Sequence, residues 1–183
     1  MHKKIILLLC CILLVSNTGA GQNTYFVSPD GNDAADGLSV KTAWKSIDKV
    51  NTIVFQPGDR ILFEAGGVFH GQLKPQGSGS QEQPIVMSSF GGCGRPVIDL
   101  GSAEGAGILL ENVSYWEIRG MEVTSHAPYK IGTGRQGIVV TASGQGHSLR
   151  HFVIKDNYIH DIWGQMGGRG KYVGYYSSGI LVR

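Results

Sequence analysis

HFVIKDNYIHD, residues 151–161, can be laid over YWEIRGMEVTS, residues 115–125. With Ile118 set on Ile154, Val123 falls on Ile159, Arg119 on Lys155, and the turn-forming Gly120 on Asp156. Each stretch reads as two short strands meeting at a corner. A second echo accompanies them: Gly107-Ile108-Leu109-Leu110, Gly137-Ile138-Val139-Val140 and Gly179-Ile180-Leu181-Val182. Thirty residues separate Gly107 from Gly137, 36 separate Trp116 from Phe152, and 42 separate Gly137 from Gly179. The period is loose while the order of elements is kept. Units that recur with variable loops are the mark of a solenoid, whose coils bury their inward faces by stacking on one another.

Strands of three to five residues with no helical period between them predict an all-β, right-handed parallel β-helix rather than a helical or leucine-rich repeat. Ile118, Val123, Ile138, Val140, Ile154, Ile159, Ile180 and Val182 are then the inward aliphatic stacks. Each fully buried Ile or Val contributes roughly 1.5–3 kcal/mol relative to exposure, enough over several coils to offset the ordering of glycine-rich corners. Composition agrees, with 28 Gly, 6 Pro and 42% apolar residues: glycine for corners, too much apolar content for disorder.

Longer runs carry a family resemblance. YFVSPDGNDAADGLSVKTAWKSIDKVN (25–51), QPGDRILFEAGGVFHGQL (56–73) and GSGSQEQPIVMSSFGGCGRPVID (77–99), followed by the coils above, resemble the N-terminal part of exported right-handed parallel β-helix proteins of the pectate-lyase-like superfamily. The resemblance implies a carbohydrate-active protein, a polysaccharide lyase or glycoside hydrolase acting on plant or algal polysaccharide. The superfamily also holds members without known activity, so a non-catalytic carbohydrate-binding or structural solenoid is the alternative. A phage-tail-like adhesin is disfavoured, because it would not carry the leader described next.

The chain opens with Lys3-Lys4, an apolar run of 11 residues from Ile5 to Val15, and small residues at Thr18 and Ala20. The run is short of the ~20 residues that span a bilayer, and the pattern predicts a signal peptide over residues 1–20, with residues 21–183 in one β-helix domain. The expected location is therefore secreted or periplasmic. Cys10 and Cys11 lack the small preceding residue of a lipoprotein signal, and removing the leader leaves Cys93 alone, so no internal disulfide is expected. The mature chain carries 14 basic and 14 acidic residues, which argues against a nucleic-acid partner. The balance is uneven: residues 21–114 sum to −4 and residues 115–183 to +4. A cationic half suits an acidic polysaccharide; solvated loop charges are the plainer account.

In the loop Asp30 to Gly37, three aspartates and an asparagine admit either Asx-turns or calcium. Ala35 and Lys41 stand where an EF-hand needs Gly and Glu, so Asx-turns are favoured and calcium is the one cofactor left open. Ser39 or Thr42 is expected to cap a short helix through Trp44, Ile47 and Val50, which would cover the open end of the solenoid.

The candidate catalytic residues are His160, Lys155, Asp161, Asp156 and Arg135. Residues two apart on a strand share a face, so Tyr158 and His160 project together, opposite Ile159. A β-eliminating lyase needs a base beside a cation, and Lys155, Arg135 and His160 are of that kind; a hydrolase needs two carboxyls about one bond, and Asp156 and Asp161 are available. Asp156 and Asn157 also suit a coil corner, where their side chains satisfy backbone groups. Trp163, Tyr129, Arg169 and Tyr175, on long loops, are the candidate substrate-binding residues, with loop sealing the plainer account. A polysaccharide substrate, no membrane span and a monomeric state complete the expected partners. Because Gly179 to Val182 opens a rung that nothing follows, the chain is expected to be truncated at its C-terminus, with further site residues beyond it.

Overall fold

The computed structural model describes residues 22–126, 134–144, 148–163 and 177–183. Among these the chain is nearly all β. In order come β1 (Thr24–Val27), α1 (Ile47–Asn51), β2 (Arg60–Glu64), β3 (Val68–His70), β4 (Ile85–Phe90), β5 (Val97–Asp99) and β6 (Gly105–Glu111). There follow β7 (Trp116–Arg119), β8 (Glu122–Ser125), β9 (Arg135–Thr141), β10 (Phe152–Lys155), β11 (Tyr158–Ile162) and β12 (Ser177–Val182). They form three parallel sheets, ordered β1-β2-β4-β7-β10, β3-β5-β8-β11 and β6-β9-β12. The chain visits first, second and third sheet in that order three times, and Leu73 takes the third-sheet place after β3 through its bridge to Ile108.

The register is the one the internal echo predicts: Ile154 pairs with Ile118, Lys155 with Arg119, Ile159 with Val123, and Ile180 with Ile138. Extending it gives one inward column per sheet, Ile61–Met87–Ile118–Ile154, Phe69–Ile98–Val123–Ile159 and Leu73–Ile108–Ile138–Ile180. Side chains in the earlier circuits are buried. Ile154 and Ile159 are partly buried, and in β12, which has β9 on one side only, Ile180 is 49% and Val182 69% exposed. Those two were expected in the aliphatic stacks; they hold the inward register, but among the described residues no layer covers them.

Two backbone constraints fix the corners. Gly120 and Asp156 both adopt left-handed φ, 67° and 59°, at the turn from first to second sheet. Glycine does so without strain, and aspartate is among the few other residues that tolerate it. Asn157 completes the same turn: its Oδ1 accepts from Met121 N and its Nδ2 donates to Ile118 O, each at 2.9 Å. The repeated glycine of the second echo answers a different need, since a Cβ on Gly137 would lie 2.4 Å from Ile159 Cγ2 and one on Gly107 2.5 Å from Val123 Cγ1. The second and third sheets approach too closely there for any side chain.

The helix differs from expectation. Ser39 caps a 3-10 turn at Val40–Thr42, and α1 begins only after its own cap, Ser46, leaving Trp44 outside it in a bridge to Val27. The cause is Asp33, whose Oδ1 accepts from Lys45 N and Ser46 N at 2.7 and 2.9 Å and holds that segment extended. Asn32 and Asp36 close Asx-turns onto Ala34 N and Leu38 N, so the loop's polar side chains are turned on its own backbone. Among the described residues no group of three or more His, Cys, Asp or Glu is arranged to hold a metal, and no helix is long and apolar enough to cross a membrane.

Truncating Ile118 to Ala is expected to cost about 2–5 kcal/mol, the range for a fully buried aliphatic. The same change at Ile180 is expected to cost less than about 1 kcal/mol. Urea-denaturation midpoints of the two variants check the difference.

Candidate functional site

In-register pairing also aligns the outward residues. On the second sheet one outward row runs Val68, Val97, Glu122, Tyr158 and the next runs His70, Asp99, Thr124, with His160 beside it. The pairing of β11 with β8 shifts between Ile159 and Ile162, and this irregularity lets both His160 and Asp161 join the outer cluster. Asp161 takes a left-handed φ of 50° there.

His160 is the hub. Its Nε2 lies 3.0 Å from Glu122 Oε1 and its Nδ1 lies 2.9 Å from Asp161 Oδ2. Its ring stacks on Tyr158 at 4.4 Å and meets His126 edge-on at 5.9 Å. His126 Nε2 is 4.0 Å from Asp161 Oδ2, and His126 N donates to Asp99 Oδ1. Trp163 Nε1 donates to Asp161 Oδ1 at 3.5 Å. The hydrogen bonds to Glu122, then to Asp161, raise the His160 pKa above its ordinary value, and the same bond from His160, then that from Trp163, lowers Asp161. The cluster is thus a histidine clamped between two carboxylates that favour its charged form, one of which, Asp161, is half-exposed. Trp163 and Tyr158 stand beside it, 54% and 51% exposed.

Tyr158 and His160 share a face as their spacing predicts, and His160 and Asp161 lie together. Lys155 and Asp156 do not join them: they belong to the first sheet and its corner, where Lys155 Nζ is 3.7 Å from Asp156 Oδ2. Arg135, named above as a candidate catalytic cation, is buried. It is 1% exposed, and Nε, Nη2 and Nη1 donate to the carbonyls of Ala103, Ser102 and Trp163 at 3.1, 3.2 and 2.9 Å. Its place at the start of β9 sets it beside the turn between β5 and β6 and the end of β11, whose carbonyls a long donor can reach. Tyr129, Arg169 and Tyr175 lie outside the described residues. Glu122 and His126 are the members that strand alternation within one segment misses. The 36-residue echo that puts Ile118 under Ile154 also puts Glu122 under Tyr158 and Thr124 under His160, so the signal was present across circuits.

Chemically, the cluster offers ionised carboxylate oxygens as hydrogen-bond acceptors beside exposed aromatic faces. That is the equipment for gripping a hydroxylated ring: oxygens for the hydroxyls, apolar surface for the C–H face.

No protein-family profile matches the chain. It is 31% identical to a lacto-N-biosidase of Bifidobacterium longum subsp. longum over 60% of this chain and 9% of that protein. It superposes on the crystal structure of a GH136 lacto-N-biosidase from Eubacterium ramulus with a TM-score of 0.75 and 25% identity, covering 87% of this chain and 30% of that one. A rhamnogalacturonan lyase shares the fold, with a TM-score of 0.57 and 16% identity over 87% of this chain and 51% of that one. The chain therefore spans less than a tenth of the curated relative and under a third of the solved biosidase. In sequence and fold it is similar to carbohydrate-active proteins.

The imidazolium–carboxylate clamp sets a pH window. His160 contributes stability below its ordinary value of 6.5, and the contribution is lost as pH rises through the raised folded value. Asp161 contributes above its ordinary 3.8, lost as pH falls through the lowered folded value. An NMR titration is expected to place the His160 midpoint above 6.5. Glu122→Gln should bring it down, and a midpoint that ignores the substitution would mean the clamp is not formed.

Proposed function

We propose that the described circuits are coils of a right-handed parallel β-helix, with α1 covering one end, in an exported glycoside hydrolase acting on a neutral glycan. The single observation that carries the site is the Glu122–His160–Asp161 clamp beside Trp163. In this reading Asp161 accepts hydrogen bonds from sugar hydroxyls, Trp163 and Tyr158 lie against the ring, and His160 orients both carboxylates. Hydrolysis is favoured over β-elimination by two considerations. The relative with the higher sequence identity is named a biosidase, whereas the likeness to the lyase is one of fold. Elimination from a uronate also calls for a cation facing the carboxylate. Among the described residues Lys155 pairs with Asp156, Arg135 donates to backbone carbonyls, His160 is already held by two carboxylates, and the outward face of the second sheet collects Glu122, Asp161 and Asp99, which would repel a uronate. The neutral glycan replaces the acidic polysaccharide suggested by segment charge alone. Export through a leader ending at Ala20 belongs to the same reading.

The test is to incubate the intact protein with panels of neutral and uronate oligosaccharides, recording reducing ends and ultraviolet absorbance separately. Reducing ends released from neutral substrates without absorbing products are expected. Asp161→Ala should raise KM at least about tenfold, roughly 1.4 kcal/mol of binding, and change kcat less. Absorbing products would overturn the reading in favour of elimination, and sugar binding without either product would make the chain a binding module.

A further inference from the structure

Trp163 reaches its place beside Asp161 at the end of β11, with no strand pairing of its own in the described residues. A half-exposed indole at a strand end needs something to fix its backbone, because exposed loop backbone is otherwise free to sample several conformations. Arg135 stands beneath it. The guanidinium, buried and planar, ties two segments together: the turn between β5 and β6, at Ser102 and Ala103, and the end of β11, at Trp163. The turn it grips is itself fastened to the site, since Ser125 Oγ donates to Gly101 O and Gly101 N donates to Asp99 Oδ1, the oxygen that also receives His126 N. One side chain thereby couples the backbone of the exposed tryptophan to the turn that holds His126.

We infer that Arg135 is a positioning residue for the sugar-facing surface, clamping the Trp163 carbonyl so that the indole stands over Asp161. A rigid fork with several fixed donors suits this task, and lysine, with one mobile ammonium, does not reproduce it. The inference rests on the assignment of Trp163 to sugar binding only for its functional consequence; the clamp itself is a statement about backbone.

The test labels the intact protein with 5-fluorotryptophan and follows fluorine NMR, assigning the Trp163 resonance by its loss in Trp163→Phe. Arg135→Lys is expected to shift and broaden the Trp163 signal while Trp44 and Trp116, buried in the core, keep theirs. With a neutral oligosaccharide found to bind the unmodified protein, Arg135→Lys should weaken binding about as much as Trp163→Ala. The two changes together should weaken it no further than either alone. Arg135→Gln, which retains a planar donor of smaller reach, is run in parallel in case the lysine variant does not fold. A Trp163 signal unmoved in the folded variant, or all three tryptophan signals moving together, overturns the inference. If the Trp163 signal moves as expected and no neutral oligosaccharide binds the unmodified protein, the clamp stands and the sugar-binding assignment fails.

Discussion

The structure depends on parallel pairing held in register from one circuit to the next. Each strand lies directly on the corresponding strand of the circuit before, so a residue's inward or outward fate repeats at the same position circuit after circuit. Inward, the consequence is a set of aliphatic columns such as Ile61–Met87–Ile118, which keep water from each other. Outward, the same rule sets side chains distant in sequence side by side. Glu122 and His160 are 38 residues apart and meet at 3.0 Å because β8 and β11 are neighbours. The site is a product of register before it is a product of any local motif.

That dependence explains what could be read from the sequence. Aliphatic columns are legible because they repeat: Ile118 and Ile154 announce each other, as do Ile138 and Ile180, and the paired corner residues Gly120 and Asp156 share a left-handed backbone that few residue types accept. Asn157 was legible for the same reason, being of a type that satisfies backbone groups at corners. Most of the candidate cluster was also legible, since Tyr158, His160, Asp161 and Trp163 lie on one short segment. Glu122 and His126 were not found, because nothing in their own strand marks them; they acquire meaning only from the circuit stacked against them.

The two departures have a common cause. The late start of α1 follows from Asp33 capturing backbone amides 12 and 13 residues further on, and the burial of Arg135 follows from carbonyls 32 and 33 residues back. Both are long side chains or carboxylates reaching backbone across a turn. Helical period and strand alternation describe regular segments, and they carry no information about which polar backbone groups a turn will leave for a side chain to satisfy.

Charge follows the same logic. The segment from Tyr115 onward is net positive, yet three of its described cations have partners away from the aromatic face: Arg119 meets Glu117 at 2.6 Å, Lys155 meets Asp156, and Arg135 is buried. What remains beside Tyr158 and Trp163 is a histidine whose positive charge is answered by Glu122 and Asp161. Each carboxylate favours the charged form of the ring, and His160 in turn favours the ionised form of Asp161. A surface of that kind presents fixed acceptor oxygens at neutral pH without presenting a net cation. The sign of a segment's charge describes the chain, whereas the character of a face is set by the few charges that the register leaves on it.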